Sequence, residues 1–364
     1  MSVTPELELR GVTKRFGDMV AVGGVSLSVA PGEFVSLLGP SGCGKTTTLR
    51  MIAGFLLPDE GRVLLHGQEI TGAPPYRRDV GLLFQNYALF PHMTVRGNVG
   101  FGPRMRRQNR KVIADRVRWA LDLVQLSGLE DRRPSELSGG QQQRVAIARV
   151  LAAGASVLLL DEPFSNLDAR LRTRMQEEVR ELQMRLGMAT VHVTHDQDEA
   201  MAMSDRIVIM NAGHVEQIGT PEAVYGKPES VFVAEFMGRC NQFEGTLCRA
   251  SGEGWALDMG LAGRITLDHD MAAAEPGDRC RVFLRPEHIQ LMPAGSTLVR
   301  DRVLRGEVQR VVYLGSRWAA YVRLADDLRL LVHLPNLPDR EGAWRPSGSV
   351  DVVPLPGAVM NLPV

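Results

Sequence analysis

Gly39-Pro40-Ser41-Gly42-Cys43-Gly44-Lys45-Thr46 is the stretch that decides the fold of this 364-residue chain. It fits G-x-x-x-x-G-K-[ST], the pattern of a phosphate-binding P-loop. A short apolar, β-prone run precedes it at residues 34–38, and a helical pattern follows over residues 47–53, stopped by Gly54. This order of strand, glycine-rich loop and helix separates a P-loop from a chance match, so it predicts an α/β nucleotide-binding domain.

The chemistry of the loop explains its composition. Glycines let the backbone N–H groups curl around phosphate oxygens, and the helix N-terminus adds a partial positive charge. Lys45 is expected to reach the β- and γ-phosphates, and Thr46 to hold Mg²⁺. The alternative is a glycine-rich turn with an incidental Lys-Thr pair, which the later segments disfavour. The candidate ATP-binding residues of the loop are Gly39, Pro40, Ser41, Gly42, Cys43, Gly44, Lys45, Thr46 and Thr47.

Composition limits the class of protein. A chain of this length favours two domains. The formal net charge is +0 and the pI is about 7.1, which gives no electrostatic argument for binding nucleic acid. No apolar run approaches the roughly 18 residues of a membrane-spanning helix, and no signal peptide is visible. The four cysteines lie singly and suggest neither a zinc site nor a disulfide framework. We therefore expect a soluble cytosolic protein that reaches a membrane only through a partner.

Polar residues follow two apolar strand patterns. Asp161 and Glu162 end the run at residues 157–160, which is apolar enough to be a parallel strand buried on both faces. In P-loop enzymes the Asp at this position holds Mg²⁺, and Glu162 would then polarise water beside the γ-phosphate. His195 follows a strand pattern over residues 190–194, where it could contact the γ-phosphate, although a lone His is usually structural.

Three further segments carry candidate residues. Gln85 ends a strand pattern at residues 80–84 and could bind Mg²⁺ or the attacking water, or be a simple surface residue. The sequence Leu137-Ser138-Gly139-Gly140-Gln141 precedes a helical pattern and predicts a second anion-binding helix N-terminus. Phe16 could stack on adenine, but its position alone favours ordinary core packing.

The pattern changes along the chain. Residues 1–238 alternate strands and helices, with a helical subdomain at about residues 87–154 and an amphipathic helix from Asp168 to Leu186. From residue 239 to residue 364 the segments are short, alternating and punctuated by Gly and Pro, which predicts an all-β domain of small barrels. This second domain contains no catalytic pattern, so we expect it to serve binding or regulation.

The chain resembles the ATP-binding cassette (ABC) ATPases. The motifs that carry the resemblance stand in the family's order: Phe16, the loop Gly39–Thr46, Gln85, Leu137–Gln141, Leu160-Asp161-Glu162, Ser165-Asn166-Leu167-Asp168 and His195. The resemblance covers about residues 5–238 and implies a mixed sheet with a helical subdomain. The remainder is similar to the OB-like, TOBE-type regulatory extension of bacterial importer ATPases, on the strength of Arg285–Ile289 and Tyr313–Ser316.

Two segments narrow the resemblance to one group of importers. Tyr87–Val95 and Pro74–Arg78 look most like spermidine/putrescine importer ATPases, while iron(III), phosphonate and sugar importers use close variants. Three positions depart from the usual pattern. Cys43 places a thiol in the loop that could sensitise it to oxidation, Asn166 stands where Ala is more usual, and Phe16 replaces the commoner Tyr or Trp.

The resemblance implies an ATP hydrolase that powers import. In this scheme Phe16 stacks the base, Lys45 binds phosphate, and Thr46, Asp161 and Gln85 organise Mg²⁺ and water. Glu162 acts as general base, and His195 senses the γ-phosphate. The residues expected to contact ATP bound to a second copy, in a head-to-tail dimer, are Ser138, Gly139, Gly140, Gln141 and Asp168.

The implied partners follow from the same resemblance. They are a second copy of the chain, membrane permease subunits docked near Gln85–Phe90, and indirectly a solute-binding protein, at the cytoplasmic face of a bacterial inner membrane. Two other classes compete. A small-substrate kinase or GTPase does not explain Leu137–Gln141, and a GTPase should carry N-K-x-D, which is absent. A non-transport ABC protein acting on nucleic acid usually carries two cassettes, whereas this chain has one.

Overall fold

A computed structural model of the chain describes residues 4–250, 254–267, 275–296, 303–336 and 347–362. The chain divides into two compact units, Met1–Val224 and Tyr225–Val364. Compact units need not coincide with sequence domains, so the boundary after residue 238 and the helical subdomain at residues 87–154 stay predictions. Within the described residues, no helix combines the length and apolar character needed to cross a lipid bilayer.

The first unit is built from two sheets and the helices around them. Its strands are β1 (Leu7–Phe16), β2 (Met19–Val29), β3 (Phe34–Leu38), β4 (Glu60–Leu65), β5 (Gln68–Glu69), β6 (Val80–Leu83), β7 (Val157–Asp161), β8 (Ala189–Thr194), β9 (Arg206–Asn211) and β10 (His214–Gly219). Its helices are α1 (Lys45–Ala53), α2 (Val95–Val99), α3 (Phe101–Met105), α4 (Arg110–Leu123), α5 (Gly139–Ala153), α6 (Ala169–Leu186) and α7 (Gln197–Met203).

The larger sheet positions the site. Its strand order is β10-β9-β3-β8-β7-β6, parallel throughout except for the antiparallel pair β9–β10. Strands β3 and β8 are buried along their whole length, as expected of strands covered on both faces, and their buried polar residues Ser36 and His192 hydrogen-bond to each other at 2.9 Å. In the register, Leu38 lies opposite Thr194 and Asp161 lies opposite Val193. The residues that follow β3, β7 and β8 therefore emerge at one edge of the sheet.

The smaller sheet, in the order β2-β1-β4-β5, corrects the strand limits read from sequence. The alternating patterns at residues 7–9 and 25–29 predict short strands, and Gly23-Gly24 predicts a break between them. Instead, β1 continues to Phe16 and β2 starts at Met19. The β1–β2 register shifts three times between Leu9 and Arg15, because bulges absorb the irregular residues without ending the ladder.

The helices follow their predicted periods. On α4, Val117, Ala120 and Leu121 are buried, and the helix packs against α5. Helix α6 confirms the predicted amphipathic helix, with Asp168 as its N-cap accepting from the Leu171 amide at 3.0 Å. The apolar faces of α4, α5 and α6 join one buried cluster with the strands β6 and β7. The helical period thus predicted these elements correctly.

The second unit consists mainly of β-strands in its described residues. Its α-helical parts there are α9 (Val231–Phe236) and the end of α8 (Pro221–Gly226), along which the chain passes from the first unit to the second. Its strands are β11 (Asn241–Arg249), β12 (Trp255–Asp258), β13 (Arg264–Leu267), β14 (Arg279–Leu284), β15 (Ile289–Pro293), β16 (Leu304–Tyr313), β17 (Arg317–Arg323), β18 (Arg329–Pro335), β19 (Ser349–Pro354) and β20 (Val359–Asn361). They form two antiparallel sheets, β13-β12-β11-β14-β20 and β15-β19-β16-β17-β18, whose apolar faces share one core. The predicted β-rich C-terminal part is confirmed.

Candidate nucleotide-binding site

The loop between β3 and α1 has the shape that an anion-binding loop requires. Gly44, the N-cap of α1, has φ +103°, and a Cβ there would lie 2.4 Å from the Ala21 carbonyl oxygen, so no other residue fits. The N-terminus of α1 has no side-chain cap and no acidic residue in its first turn. Its first amides are therefore available to a phosphate.

Lys45 is folded into the loop that precedes it. The residue is only 5% exposed, and its Nζ donates to the carbonyl oxygens of Gly39 at 2.6 Å and Pro40 at 2.9 Å. Its ammonium also lies 3.6 Å from the Cys43 Sγ. Carbonyl oxygens of the loop's own backbone thus hold the Lys45 ammonium in place. Cys43 is buried, which limits the access of oxidants to the thiol.

Thr46 and Asp161 meet although 115 residues separate them. The Thr46 hydroxyl donates to the Asp161 Oδ1 at 3.3 Å. Burial raises the pKa of Asp161, and the charge of Glu162 acts in the same direction, while the Thr46 hydrogen bond and the charge of Arg50 oppose the rise. A partly desolvated carboxylate beside a hydroxyl is a suitable place for a hard cation.

Glu162 and His195 lie side by side at the same sheet edge. The His195 Nδ1 is 3.3 Å from the Glu162 Oε2, and the Glu162 amide donates to the Val193 carbonyl at 3.0 Å. Glu162 has φ +46°, a left-handed conformation that costs a non-glycine residue of the order of 1 kcal/mol or more. Such strain clusters at functional sites, and here it sits on the residue predicted to be the general base.

Gln85 is joined to the Glu162 segment through Ser165. The Gln85 Nε2 donates to the Ser165 Oγ at 3.1 Å, and that hydroxyl donates to the Glu162 carbonyl at 3.0 Å. Asn166 adds a second connection, because its Nδ2 donates to the Asn86 Oδ1 at 3.1 Å. The unusual Asn at this position therefore ties two loops of the site together.

Sequence reasoning missed Arg149, which holds the loop after Gln85. Its guanidinium donates to the carbonyls of Tyr87 at 2.8 Å and Ala88 at 2.6 Å, both of which have positive φ. Burial lowers the pKa of Arg149. Arg149 stands on α5, about sixty positions from its partners, and no local pattern signals so distant a contact.

The residues predicted to contact a second copy stand at two helix starts. Ser138 is the N-cap of α5 and forms a capping box with Gln141: the Gln141 amide donates to the Ser138 Oγ, and the Ser138 amide to the Gln141 Oε1. Asp168 is the N-cap of α6. Gly139 is exposed and Gly140 is buried against Leu171 and Met175. Both helix starts are polar, and the hydrogen bonds of their caps stay within α5 and α6 and do not reach the P-loop.

The position of Phe16 in the sequence favoured burial in the core, but the structure leaves its side chain exposed. It is 47% exposed at the end of β1, so its ring is not part of the buried core. The Lys14 ammonium lies 5.8 Å from the ring centroid. An exposed aromatic ring is free to stack on a planar ligand.

Known proteins match this chain over nearly its whole length. The family model for ABC transporters matches residues 22–165, and that for TOBE domains matches residues 282–362. The spermidine/putrescine import ATP-binding protein PotA of Nitratidesulfovibrio vulgaris is 47% identical over 362 residues, which is 98% of this chain and 97% of that protein. The protein of the same name from Acidothermus cellulolyticus is 48% identical over 358 residues, 97% of this chain and 90% of that protein. The chain belongs to the ATP-binding subunits of ABC transporters.

Solved structures agree with this membership. The ABC subunit described here is similar to cbiO1 of Clostridium perfringens, part of the ABC transporter complex cbiONQ, with a TM-score of 0.57, 31% identity and coverage of 61% of this chain and 90% of that one. It is also similar to a dimeric ATP-binding cassette in a post-hydrolysis state bound to ADP and phosphate, with a TM-score of 0.51, 31% identity and coverage of 59% and 98%. The predicted family and fold, an ABC ATPase followed by a TOBE-type β domain, are confirmed.

Proposed function

We propose that this ABC subunit hydrolyses ATP to drive import of a polyamine through a separate membrane permease. The observation that carries the proposal is the meeting of Lys45, Thr46, Asp161, Glu162 and His195 at one edge of a parallel sheet, although they come from three segments far apart in sequence. The choice of cargo rests on the relatives, which are named as spermidine/putrescine import proteins. Iron(III), phosphonate or a sugar are the alternative cargoes.

Phosphate binding falls to the loop and to α1. The free amides at the start of α1 and the ammonium of Lys45 offer donors and positive charge to the phosphates. The hydroxyl of Thr46 and the carboxylate of Asp161 are oxygen donors of the kind that Mg²⁺ takes, with Gln85 as a further candidate. A Mg²⁺ held by these residues would supply positive charge that offsets the charge of the phosphates. The described part of the chain holds no group of three or more His, Cys, Asp or Glu side chains placed to bind a metal ion.

The remaining residues act on the attacking water and the base. Glu162 accepts a proton from water, as its position beside His195 allows. His195 contacts the γ-phosphate, and Gln85, connected to the Glu162 segment through Ser165, orients the water. The exposed ring of Phe16 stacks on adenine.

A second copy completes the site, and the permease docks on the loop after β6. Ser138, Gly139, Gly140, Gln141 and Asp168 stand at helix starts suited to the phosphates of an ATP held by the partner. Beside Gln85, the exposed rings of Phe84 and Phe55 lie 6.1 Å apart and offer an apolar surface to the permease. A solute-binding protein delivers the cargo from the other side, and the subunit works at the cytoplasmic face of the inner membrane.

The test is the hydrolysis of MgATP by the purified chain and by Glu162→Gln. We expect the variant to bind ATP as the wild type does and to turn over about 10²–10⁴-fold more slowly, because general-base help is lost. The control is Glu177→Gln on the exposed face of α6, which should hydrolyse ATP at the wild-type rate. Equal rates for Glu162→Gln and the wild type would exclude Glu162 as the base. Uptake of labelled spermidine, iron(III), phosphonate or sugar by cells with and without the chain then decides the cargo.

A further inference from the structure

One segment of this electrically neutral chain is strongly basic. Residues 104–118, which include parts of α3 and α4, carry seven Arg and Lys residues and one carboxylate, Asp115, although the whole chain has a net charge of +0. A charge imbalance of this size must be balanced elsewhere in the chain. The excess positive charge is therefore a local property of this segment and not a property of the whole protein.

Most of these cations point to solvent without an acidic partner. Arg104, Arg107, Arg110 and Lys111 are exposed, and within the described ranges none of them forms an ion pair. Arg118 is also exposed, and its pairing with Asp115 at 3.6 Å is weak. We call these five residues the basic patch. The other two cations are engaged, since Arg106 donates to the Ala153 carbonyl and Arg116 to the Ala152 carbonyl.

Two of these cations stand at the N-terminus of α4, where a helix disfavours positive charge. Arg110 and Lys111 are its first two residues, and its first turn has no acidic residue. Cations are disfavoured at a helix N-terminus because the aligned peptide dipoles already make that end positive. Arg110, Lys111 and the helix end together form a positive surface that an external anion would stabilise.

Large apolar side chains stand among the charges. Met105, Val112 and Trp119 are 60%, 43% and 47% exposed. Val112 and Trp119 lie two turns apart on the outer side of α4, opposite the buried Val117, Ala120 and Leu121. Arginine and lysine interleaved with an exposed Trp are typical of surfaces that lie in the headgroup region of a lipid bilayer.

The basic patch adjoins the loop assigned above to the permease, and this step rests on the proposed function. The ring of Phe90, in that loop, lies 4.5 Å from the ring of Phe101, the first residue of α3. If the loop faces the permease, the patch that continues from it is close to the membrane that holds the permease.

We propose that the basic patch docks on the anionic phospholipid headgroups of the membrane around the permease. Guanidinium and ammonium groups pair with lipid phosphates, and Trp119, with Val112 and Met105, enters the headgroup layer. This contact with lipid strengthens the attachment of the subunit to the permease and limits rotation of the subunit relative to the bilayer. Duplex nucleic acid fits less well, because the patch is small, carries large aliphatic residues, and belongs to a chain of zero net charge.

The test is co-sedimentation of the full-length chain with vesicles of phosphatidylglycerol and, separately, of phosphatidylcholine. We expect binding to the anionic vesicles only, weakening as salt is raised. The triple variant Arg107→Glu/Arg110→Glu/Lys111→Glu should bind at least about tenfold more weakly. A matched control, Arg62→Glu/Arg305→Glu/Arg329→Glu, makes the same change of net charge at scattered exposed positions and should bind as the wild type does. Trp119 emission should shift to the blue on vesicles, a shift that Trp119→Phe removes.

Three results would overturn the proposal: equal binding to both vesicle types, unchanged binding by the triple variant, or preferential binding of the patch to duplex DNA. The ATPase proposal is tested by a separate measurement, the rate of ATP hydrolysis. The triple variant should hydrolyse ATP at the wild-type rate, since the patch contains no site residue. A wild-type chain without ATPase activity would refute the proposed function while leaving the vesicle result to be judged by itself.

Discussion

At the scale of single residues, Arg78 stabilises the helix that carries the P-loop lysine. It is 1% exposed, and its guanidinium donates to the carbonyls of Met51, Ile52 and Thr71, each at 2.7 Å, and to that of Ala73 at 2.8 Å. Met51 and Ile52 are in the last turn of α1, where carbonyls lack donors within the helix, and the Met51 carbonyl also accepts from the amide of the C-cap Gly54 at 3.2 Å. Burial lowers the pKa of Arg78, because desolvation disfavours the charged guanidinium. The hydrogen bonds to the four carbonyls offset this desolvation.

We expect Arg78→Met to lower the free energy of unfolding by about 3 kcal/mol or more, because four carbonyls, two of them buried and two part-buried, lose the hydrogen bonds of the guanidinium. Arg78→Lys should not restore stability, since one ammonium cannot replace the planar fork of donors. The measurement is urea denaturation. The control is Arg77→Met, where the exposed neighbour should change stability by no more than about 0.5 kcal/mol. A stable Arg78→Met protein would show that the carbonyls find water or other donors.

Local motifs in the sequence indicate candidate site residues such as Lys45 and Thr46, whose roles remain predictions. They did not predict residues whose role depends on distant partners. Arg78 binds the Met51 carbonyl 27 positions away, and Arg149 binds the Ala88 carbonyl 61 positions away. Only the folded chain brings such groups together. Phe16 illustrates the opposite error, since its position suggested burial and the strand end leaves it exposed.

At the scale of elements, the start of α5 is capped and still accessible. The Ser138 hydroxyl satisfies the Gln141 amide, and the glycine at the first helical position leaves the helix end accessible. The sequence predicted this helix from its period and its polar start. It did not predict the length of β1 and β2, because glycines that usually end strands are accommodated there by bulges.

Ser138→Arg tests whether this helix start serves a nucleotide in another chain. The bulky cation should abolish hydrolysis and leave the binding of a fluorescent ATP analogue to isolated chains largely intact, because Lys45 and α1 are untouched. Ser138→Ala is the matched control for capping, since it removes the hydroxyl without adding bulk or charge and should cost about 1 kcal/mol of stability. Loss of nucleotide binding in monomeric Ser138→Arg would place the serine in its own chain's site and contradict a role in trans.

At the scale of the whole molecule, each copy presents a P-loop and the helix start at Leu137–Gln141, and the hydrogen bonds between Ser138 and Gln141 stay within that helix start. A two-fold symmetric dimer presents the same pair of surfaces twice, so each P-loop can meet the partner's helix start. The active unit would then be the nucleotide-bound dimer, and ATP would be part of its interface.

If ATP is buried in that interface, a chain that binds ATP and hydrolyses it slowly should accumulate as a dimer. We expect Glu162→Gln to elute as a dimer with MgATP and as a monomer without nucleotide, measured by size-exclusion chromatography with light scattering. Adding Ser138→Arg to the same chain should abolish the dimer while ATP still binds. In the wild type, the rate of hydrolysis per chain should then rise with protein concentration. A dimer that forms equally well without nucleotide, or a monomer whose rate is independent of concentration, would mean that ATP does not hold the two chains together.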